Sequence, residues 1–281
     1  MAHITVIGSV NLDLVATAPR LPRPGETITD ATFSRHPGGK GANQALAARR
    51  MGADVRFVGR TGADPEAALA TALLRDAGVD LAACREDPTV NTGVALIVVD
   101  ANGENQIVVA PGANRRLDPD GVAVAASDTV VCQLEIPVET VAHAVARAAF
   151  SILNAAPARE LPPQLLSACD VVVVNETEAE FYGERLDDVA LVVTTLGAEG
   201  AVATRGGRQV ARVPAPQVET VDTVGAGDTF VGALAVELAD GADLTDALRL
   251  ACAAGALATT VSGAQSSIPD RSAVLDLMAR T

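Results

Sequence analysis

A chain of 281 residues with a formal charge of −14 lacks the clustered Lys and Arg that an extended nucleic-acid footprint requires, although backbone dipoles can still hold a small anion locally. Hydrophobic residues make up 49% of it, with no Trp, one Tyr and five Phe, so a sizeable core has to be built mainly from Ala, Val and Leu. The length permits two domains, but an α/β sheet of this size often forms a single unit.

From the N-terminus, an apolar strand is predicted at 4–7, then a stretch rich in Pro and Gly with alternating Thr and Ile at 15–36. A helix is predicted at 42–51, a strand at 55–58 and a helix at 65–77. Residues 94–109 read as two strands around Asp100-Ala101-Asn102-Gly103, a hairpin turn by composition. Strands at 129–133, 152–154, 171–175 and 191–195 follow, with helices at 138–150, 229–238 and 244–261. Short Val/Ile runs alternating with Ala/Leu helices imply βαβ units and a parallel sheet buried on both faces. The expectation is one α/β domain over residues 1–281, a three-layer sandwich with a mainly parallel central sheet. Residues 15–36 and 94–109 would add a small β-sheet, either a lid over a ligand or an ordinary edge extension. Two connections are short for parallel crossovers, Phe150 to Ser151 and 186–191, and suggest either that residues are missing there or that the loops have been trimmed.

Cys84, Cys132, Cys169 and Cys252 form no C-x-x-C pair, which argues against a zinc site or a disulfide framework and for a reducing cytoplasm. No basic leader and no run of 18 apolar residues occurs.

Several apolar runs end in a polar residue: Asn11 and Asp13, Glu135, Asn154, Asn175 and Thr195. In open parallel sheets ligands bind outside the carboxyl ends of the strands, so these mark a possible crevice; singly, each also suits a turn or helix cap. The sharpest local signal is 222–230, DTVGAGDTF, ahead of an Ala/Leu helix. Gly225, Ala226 and Gly227 leave backbone N–H groups uncovered at a helix start, where phosphate oxygens fit. Asp228 is then a carboxylate able to take a proton from an attacking hydroxyl, or simply an acid stabilised by the helix dipole. Neither a G-x-x-x-x-G-K-[ST] nor a G-x-G-x-x-G segment follows the first strand, which disfavours a P-loop or standard dinucleotide site.

Among 21 basic residues Lys40 is the single lysine, inside Gly38-Gly39-Lys40-Gly41-Ala42-Asn43. Glycines there allow close backbone approach while Lys40 and Asn43 offer donors to hydroxyls; a turn with a solvated lysine is the plainer reading. Asn175 and Glu178 share one helical face and suit Mg²⁺ held through water near phosphates, or a capped helix start.

These segments together resemble the ribokinase-like, phosphofructokinase-B superfamily of sugar kinases. The likeness runs nearly end to end: 8–13 (GSVNLD), 38–45 (GGKGANQA), 92–95 (TGVA), 133–135 (QLE), 154–163 (NAAPARELPP), 175–180 (NETEAE), 195–197 (TLG), 222–230 and 263–265 (GAQ). The resemblance implies ATP-dependent phosphorylation of a sugar's primary hydroxyl, with Asp228 as base and Gly225, Ala226 and Gly227 as anion hole. It places Asn11, Asp13, Gly39, Lys40, Asn43 and Glu135 on the sugar, and Asn175, Glu178, Thr195, Gly197, Gly200 and Gly227 near ATP and Mg²⁺. It implies a K⁺ site from Asp222, Val224, Thr259, Ser262, Ala264 and Ser267, and a small sheet serving as lid and homodimer clasp. Cys252 is a departure, standing where relatives place a larger side chain near the adenine.

Overall fold

The structure, a computed structural model, describes residues 1–280. In chain order the strands are β1 His3–Ile7, β2 Asn11–Thr17, β3 Thr32–Gly38, β4 Asp54–Gly62, β5 Cys84–Asp87, β6 Gly93–Val99, β7 Asn105–Ala110, β8 Thr129–Cys132, β9 Phe150–Asn154, β10 Val171–Asn175, β11 Val192–Thr195, β12 Ala201–Arg205 and β13 Arg208–Val213. The helices are α1 Lys40–Arg50, α2 Pro65–Ala70, α3 Ala72–Asp76, α4 Val138–Val145, α5 Pro163–Ser167, α6 Glu176–Tyr182, α7 Ala226–Ala239, α8 Leu244–Ala258, α9 Ala264–Ser267 and α10 Arg271–Met278.

Nine strands form the central sheet in the order β13-β12-β11-β10-β9-β8-β1-β4-β5, parallel throughout except for the antiparallel β11-β12-β13 edge. Strand periodicity divides each apolar run between two cores: Val171 and Val173 of β10 pack with α1, α7 and α8, while Val172 and Val174 pack with Leu165, Leu166 and Tyr182. The result is the expected three-layer α/β arrangement. A second sheet, ordered β3-β2-β6-β7, stands apart from the first. Its strands begin at Asn11 and Gly93, earlier than expected, and residues 18–31 between β2 and β3 contain no strand.

The predicted helix 65–77 breaks at Thr71, whose hydroxyl donates back to the Ala67 carbonyl over 2.8 Å. The helix expected to reach 261 ends at Ala258, and the Thr259 and Thr260 hydroxyls close it on the Ala256 and Leu257 carbonyls. The crossover from β8 to β9 is also complete without further residues. Helix α4 stops at Val145, and the Ala149 and Phe150 amides donate to the Asp128 carbonyl at 3.0 and 3.4 Å, which turns the chain directly into β9. Between β10 and β11 a short α6 and a turn at Gly183–Leu186 suffice. Both short connections are thus closed by local turns. Among the described residues no helix is long and apolar enough to cross a membrane.

Candidate functional site

Two helix starts meet at the carboxyl end of the central sheet. Helix α1 opens after Gly39 (φ +90°) and α7 after Gly225 (φ +79°). Both need glycine: a Cβ on Gly39 would stand 2.8 Å from the Asn11 nitrogen, and one on Gly225 2.9 Å from the Ala264 Cα. The two helices pack closely because Gly232 of α7 has no side chain; a Cβ there would lie 2.5 Å from that of Ala47.

That packing places Asp228, in the first turn of α7, against α1. Its Oδ2 accepts from Asn43 Nδ2 and its Oδ1 from Gln44 Nε2, both at 2.9 Å. The Asn43 Oδ1 is buried without a partner, an acceptor that a ligand hydroxyl can satisfy. No space is occupied where a Cβ on Gly227 would project, and first-turn amides have no intrahelical carbonyl to bond. The Ala226 amide is different: it donates to the Thr223 carbonyl at 3.3 Å, so the anion hole falls to its neighbours.

The sequence-predicted sugar residues converge from three elements. Asn11 and Asp13 lie at the base of the small sheet on β2, opposite Gly38 and His36 of β3. The Asp13 carboxylate fills the volume a side chain on Gly38 would need, 2.2 Å from its ideal Cβ. Glu135 accepts from the Ser9 hydroxyl and from the Lys40 amide, the latter at 3.1 Å. Burial, then Glu135 and then Asp228, push the Asp13 carboxyl up to about 7. Lys40 is held above the usual lysine range by Asp228 first and by Glu135 and Glu178, against the opposing effect of burial.

Two adjoining cavities lead to Asp228. One of about 380 Å³ is bounded by Thr195, Gly197, Gly200, Phe230, Cys252 and Gly255, among others. The other, of about 210 Å³, contains Lys40, Glu178, Gly225, Gly227 and Asp228. They share Asn175, Thr195, Thr223 and Gly227, so a ligand filling the first reaches the carboxylate through the second. Asn175 and Glu178 form a capping box, Asn175 N to Glu178 Oε2 at 2.9 Å and Glu178 N to Asn175 Oδ1 at 2.8 Å. Burial nevertheless raises the Glu178 carboxyl.

The loop pair expected to hold K⁺ is assembled by Asp222, which accepts from Val224 N at 3.0 Å, Gly263 N at 2.8 Å and Ser262 Oγ at 3.4 Å. The Thr259 carbonyl already accepts from the amides of Val221 and Asp222, and the Ala264 carbonyl from the Ser267 hydroxyl. Thr259 thereby ties the end of α8 to the 221–222 segment, whereas the Ala264–Ser267 bond stays within α9.

Sequence reasoning gave no role to Gln44, Gln133, Ser9 or Asn114. Asn114 clamps both backbone polar groups of Val10 and donates to Asn11 Oδ1 at 2.8 Å. It also missed the β12–β13 hairpin and the loop behind it, whose Ala215 and Val218 wall the larger cavity.

A family model described as pfkB family carbohydrate kinase matches residues 1–271. The chain belongs to the pfkB family of carbohydrate kinases. It is 39% identical to the ribokinase of Bacillus subtilis over 295 aligned positions, covering 99% of this chain and 100% of that one. It is 35% identical to the deoxyribokinase of Salmonella typhi over 292 positions, covering 95% of each. The structure of Arabidopsis thaliana ribokinase complexed with ribose and ATP superposes with a TM-score of 0.87 at 32% identity, over 99% of this chain and 98% of the other. The Bacillus alignment is longer than the 281 residues of this pfkB kinase and so opens gaps in it.

Proposed function

We propose that this kinase transfers the γ-phosphoryl group of ATP to the primary 5-hydroxyl of D-ribose. The observation carrying that reading is one placement: the Asp228 carboxylate stands at the opening of α7, between a nucleotide-sized cavity and the polar residues of β2 and α1. The base of ATP rests against the small residues Cys252 and Gly255, and its phosphates run past Thr195 and Asn175 towards Gly227. Asn11, Asp13, Lys40, Asn43 and Glu135 engage the sugar hydroxyls, with Gly39 allowing close backbone approach. Asp228 takes the proton from O5 as the O5–P bond forms. The bond from phosphorus to the β-phosphate oxygen breaks, and ADP leaves with its electron pair. The open amides of Gly227 and Asp228 stabilise the charge gathering on the transferring group. Closure of the small sheet over the sugar excludes water.

Mg²⁺, when bound, offsets charge on the β- and γ-phosphates. Among the described residues no cluster of three or more His, Cys, Asp or Glu side chains gathers to hold a metal, so the fit is through water, phosphates and the remaining oxygen of Glu178. For K⁺ the oxygen-only set of Asp222, Val224 and Ser262 is chemically suitable. In this reading the protein is cytoplasmic and forms a homodimer through the small sheet, supported by exposed apolar side chains at Phe33, Leu96, Ile107 and Val108.

The test is coupled ADP release with ribose, 2-deoxyribose, adenosine and fructose, with and without K⁺. Ribose gives the highest kcat/KM if the reading holds. A preference for deoxyribose moves the assignment to that sugar. Ribose binding by calorimetry with no ADP release from any substrate replaces the kinase with a sugar sensor.

A further inference from the structure

Behind the active carboxylate lies a row of uncharged amides running in one direction. Gln133 Nε2 donates to Gln44 Oε1 at 2.7 Å. Gln44 Nε2 donates to Asp228 Oδ1 at 2.9 Å and to Asn154 Oδ1 at 3.0 Å. Asn154 Nδ2 then donates to the Val173 carbonyl at 3.2 Å. Gln44 and Gln133 are wholly buried.

The orientation is forced. Turning the Gln44 amide over would set its oxygen against two acceptors and its NH₂ against the Gln133 donor. Asn154 is fixed by the Val173 carbonyl, and Gln133 is wedged against the backbone, 2.0 Å from where a Cβ on Gly8 would be. Packing alone does not call for amides here, because Leu or Met fills a similar volume. Gln133 even leaves its Oε1 buried without a partner, which costs stability. The row ends on the one carboxylate that takes a proton in the reaction proposed above.

We propose that Gln44, held in register by Gln133 and Asn154, is a positioning residue for Asp228. It fixes the carboxylate rotamer and stabilises its charge without bringing a competing charge of its own. Asn43 holds the second oxygen from the same turn of α1. The charged groups around Asp228 are Lys40 on α1, Asp13 on β2 and Glu178 on α6, with Glu135, after β8, acting on Asp13 and Lys40. Gln44 differs from all of them in carrying no charge, so its removal leaves their electrostatics in place.

This inference rests on the kinase reading, and the test separates the two. Profiles of kcat and ribose KM against pH are recorded for the wild type, Gln44→Met, Gln44→Glu and Gln133→Met. Loss of a hydrogen bond to an ionised acid disfavours that ionised form. Gln44→Met should therefore lower kcat at neutral pH by about tenfold to a hundredfold and move the acidic limb up by about one unit. Its ribose KM stays within about threefold of wild type, since Gln44 faces the base and not the sugar. Gln44→Glu moves the limb further, because two carboxyl groups then share one buried site. Gln133→Met, one contact removed from Asp228, shifts it less and in the same direction, and it carries the test if the Gln44 variants do not fold. A wild type that releases no ADP from ribose sinks the kinase reading. An active wild type whose limb stays put in the folded variants, with only the melting temperature lowered, overturns the role given to Gln44.

Discussion

Asp13→Asn should make the unliganded protein more stable at alkaline pH while weakening its hold on ribose. The Asp13 carboxyl is raised from 3.8 to about 7 by burial and by the neighbouring Glu135 and Asp228 carboxylates. Between those values the unfolded chain has lost this proton and the folded chain keeps it, so the wild type loses stability as pH rises through that window. Below about 4 the group is neutral in both states and no penalty exists; above about 7 the penalty is complete. A shift of this size corresponds to roughly 4 kcal/mol as an upper figure. Asn keeps the shape and removes the charge, so the gap in stability between variant and wild type should open from near zero at pH 4 to its full extent at pH 8. Urea unfolding across that range measures it directly. A His36→Asn background, which removes the imidazole opposite Asp13 in the β2–β3 register, assigns the slope to the carboxylate. Calorimetry should show ribose affinity falling by about tenfold to a hundredfold, the scale of a lost charge-assisted hydrogen bond. A stability gap that is constant across pH, or of opposite sign, refutes the argument.

Asp228→Asn should lower kcat by roughly two to four orders of magnitude with ribose binding largely retained by calorimetry; the new NH₂ faces the Asn43 or Gln44 donor, and Asn43 can answer by presenting its unpartnered Oδ1. Near-normal turnover would remove Asp228 as the base. Gly225→Ala must place a Cβ 2.9 Å from the Ala264 Cα at φ +79°, so a loss of about 1–2 kcal/mol and a fall of a few degrees in melting temperature are expected, together with slower turnover. Val108→Asp, on the exposed β7 edge, should convert a dimer to a monomer in sedimentation velocity, and an unchanged mass would exclude this sheet as the clasp.

The central sheet was legible because Val/Ile runs such as 171–175 have no alternation, which in a parallel sheet means burial on both faces. The β12–β13 hairpin was not: Ala201–Arg205 and Arg208–Val213 mix Ala, Thr and Arg on an edge where only one face is buried. Helix limits failed where a hydroxyl competed for a backbone carbonyl, at Thr71 and at Thr259, since hydrophobic period carries no information about side-chain back-bonding. Asp228, Lys40 and Asn43 could be singled out because glycines flank them. Gln44 could not, although it adjoins Asn43, because its part depends on α7 crossing α1 at Gly232, a contact between segments far apart in the chain. The same holds for Asn114, whose target Val10 lies 104 residues away.

The charge inventory explains why the proposed reaction needs cations. Around the transfer site stand the carboxylates of Asp13, Glu135, Glu178 and Asp228, with Lys40 the ammonium among them. A nucleoside triphosphate brings several more negative charges to a protein that already carries −14. First-turn amides of α7 supply only partial positive charge, about half an elementary charge for a whole helix terminus. Lys40 cannot balance the remainder, since Asp228 and Glu135 already draw on its field. In the proposed reaction the anion hole therefore gives direction more than neutralisation, and the remaining compensation would come from metal ions bound with the nucleotide.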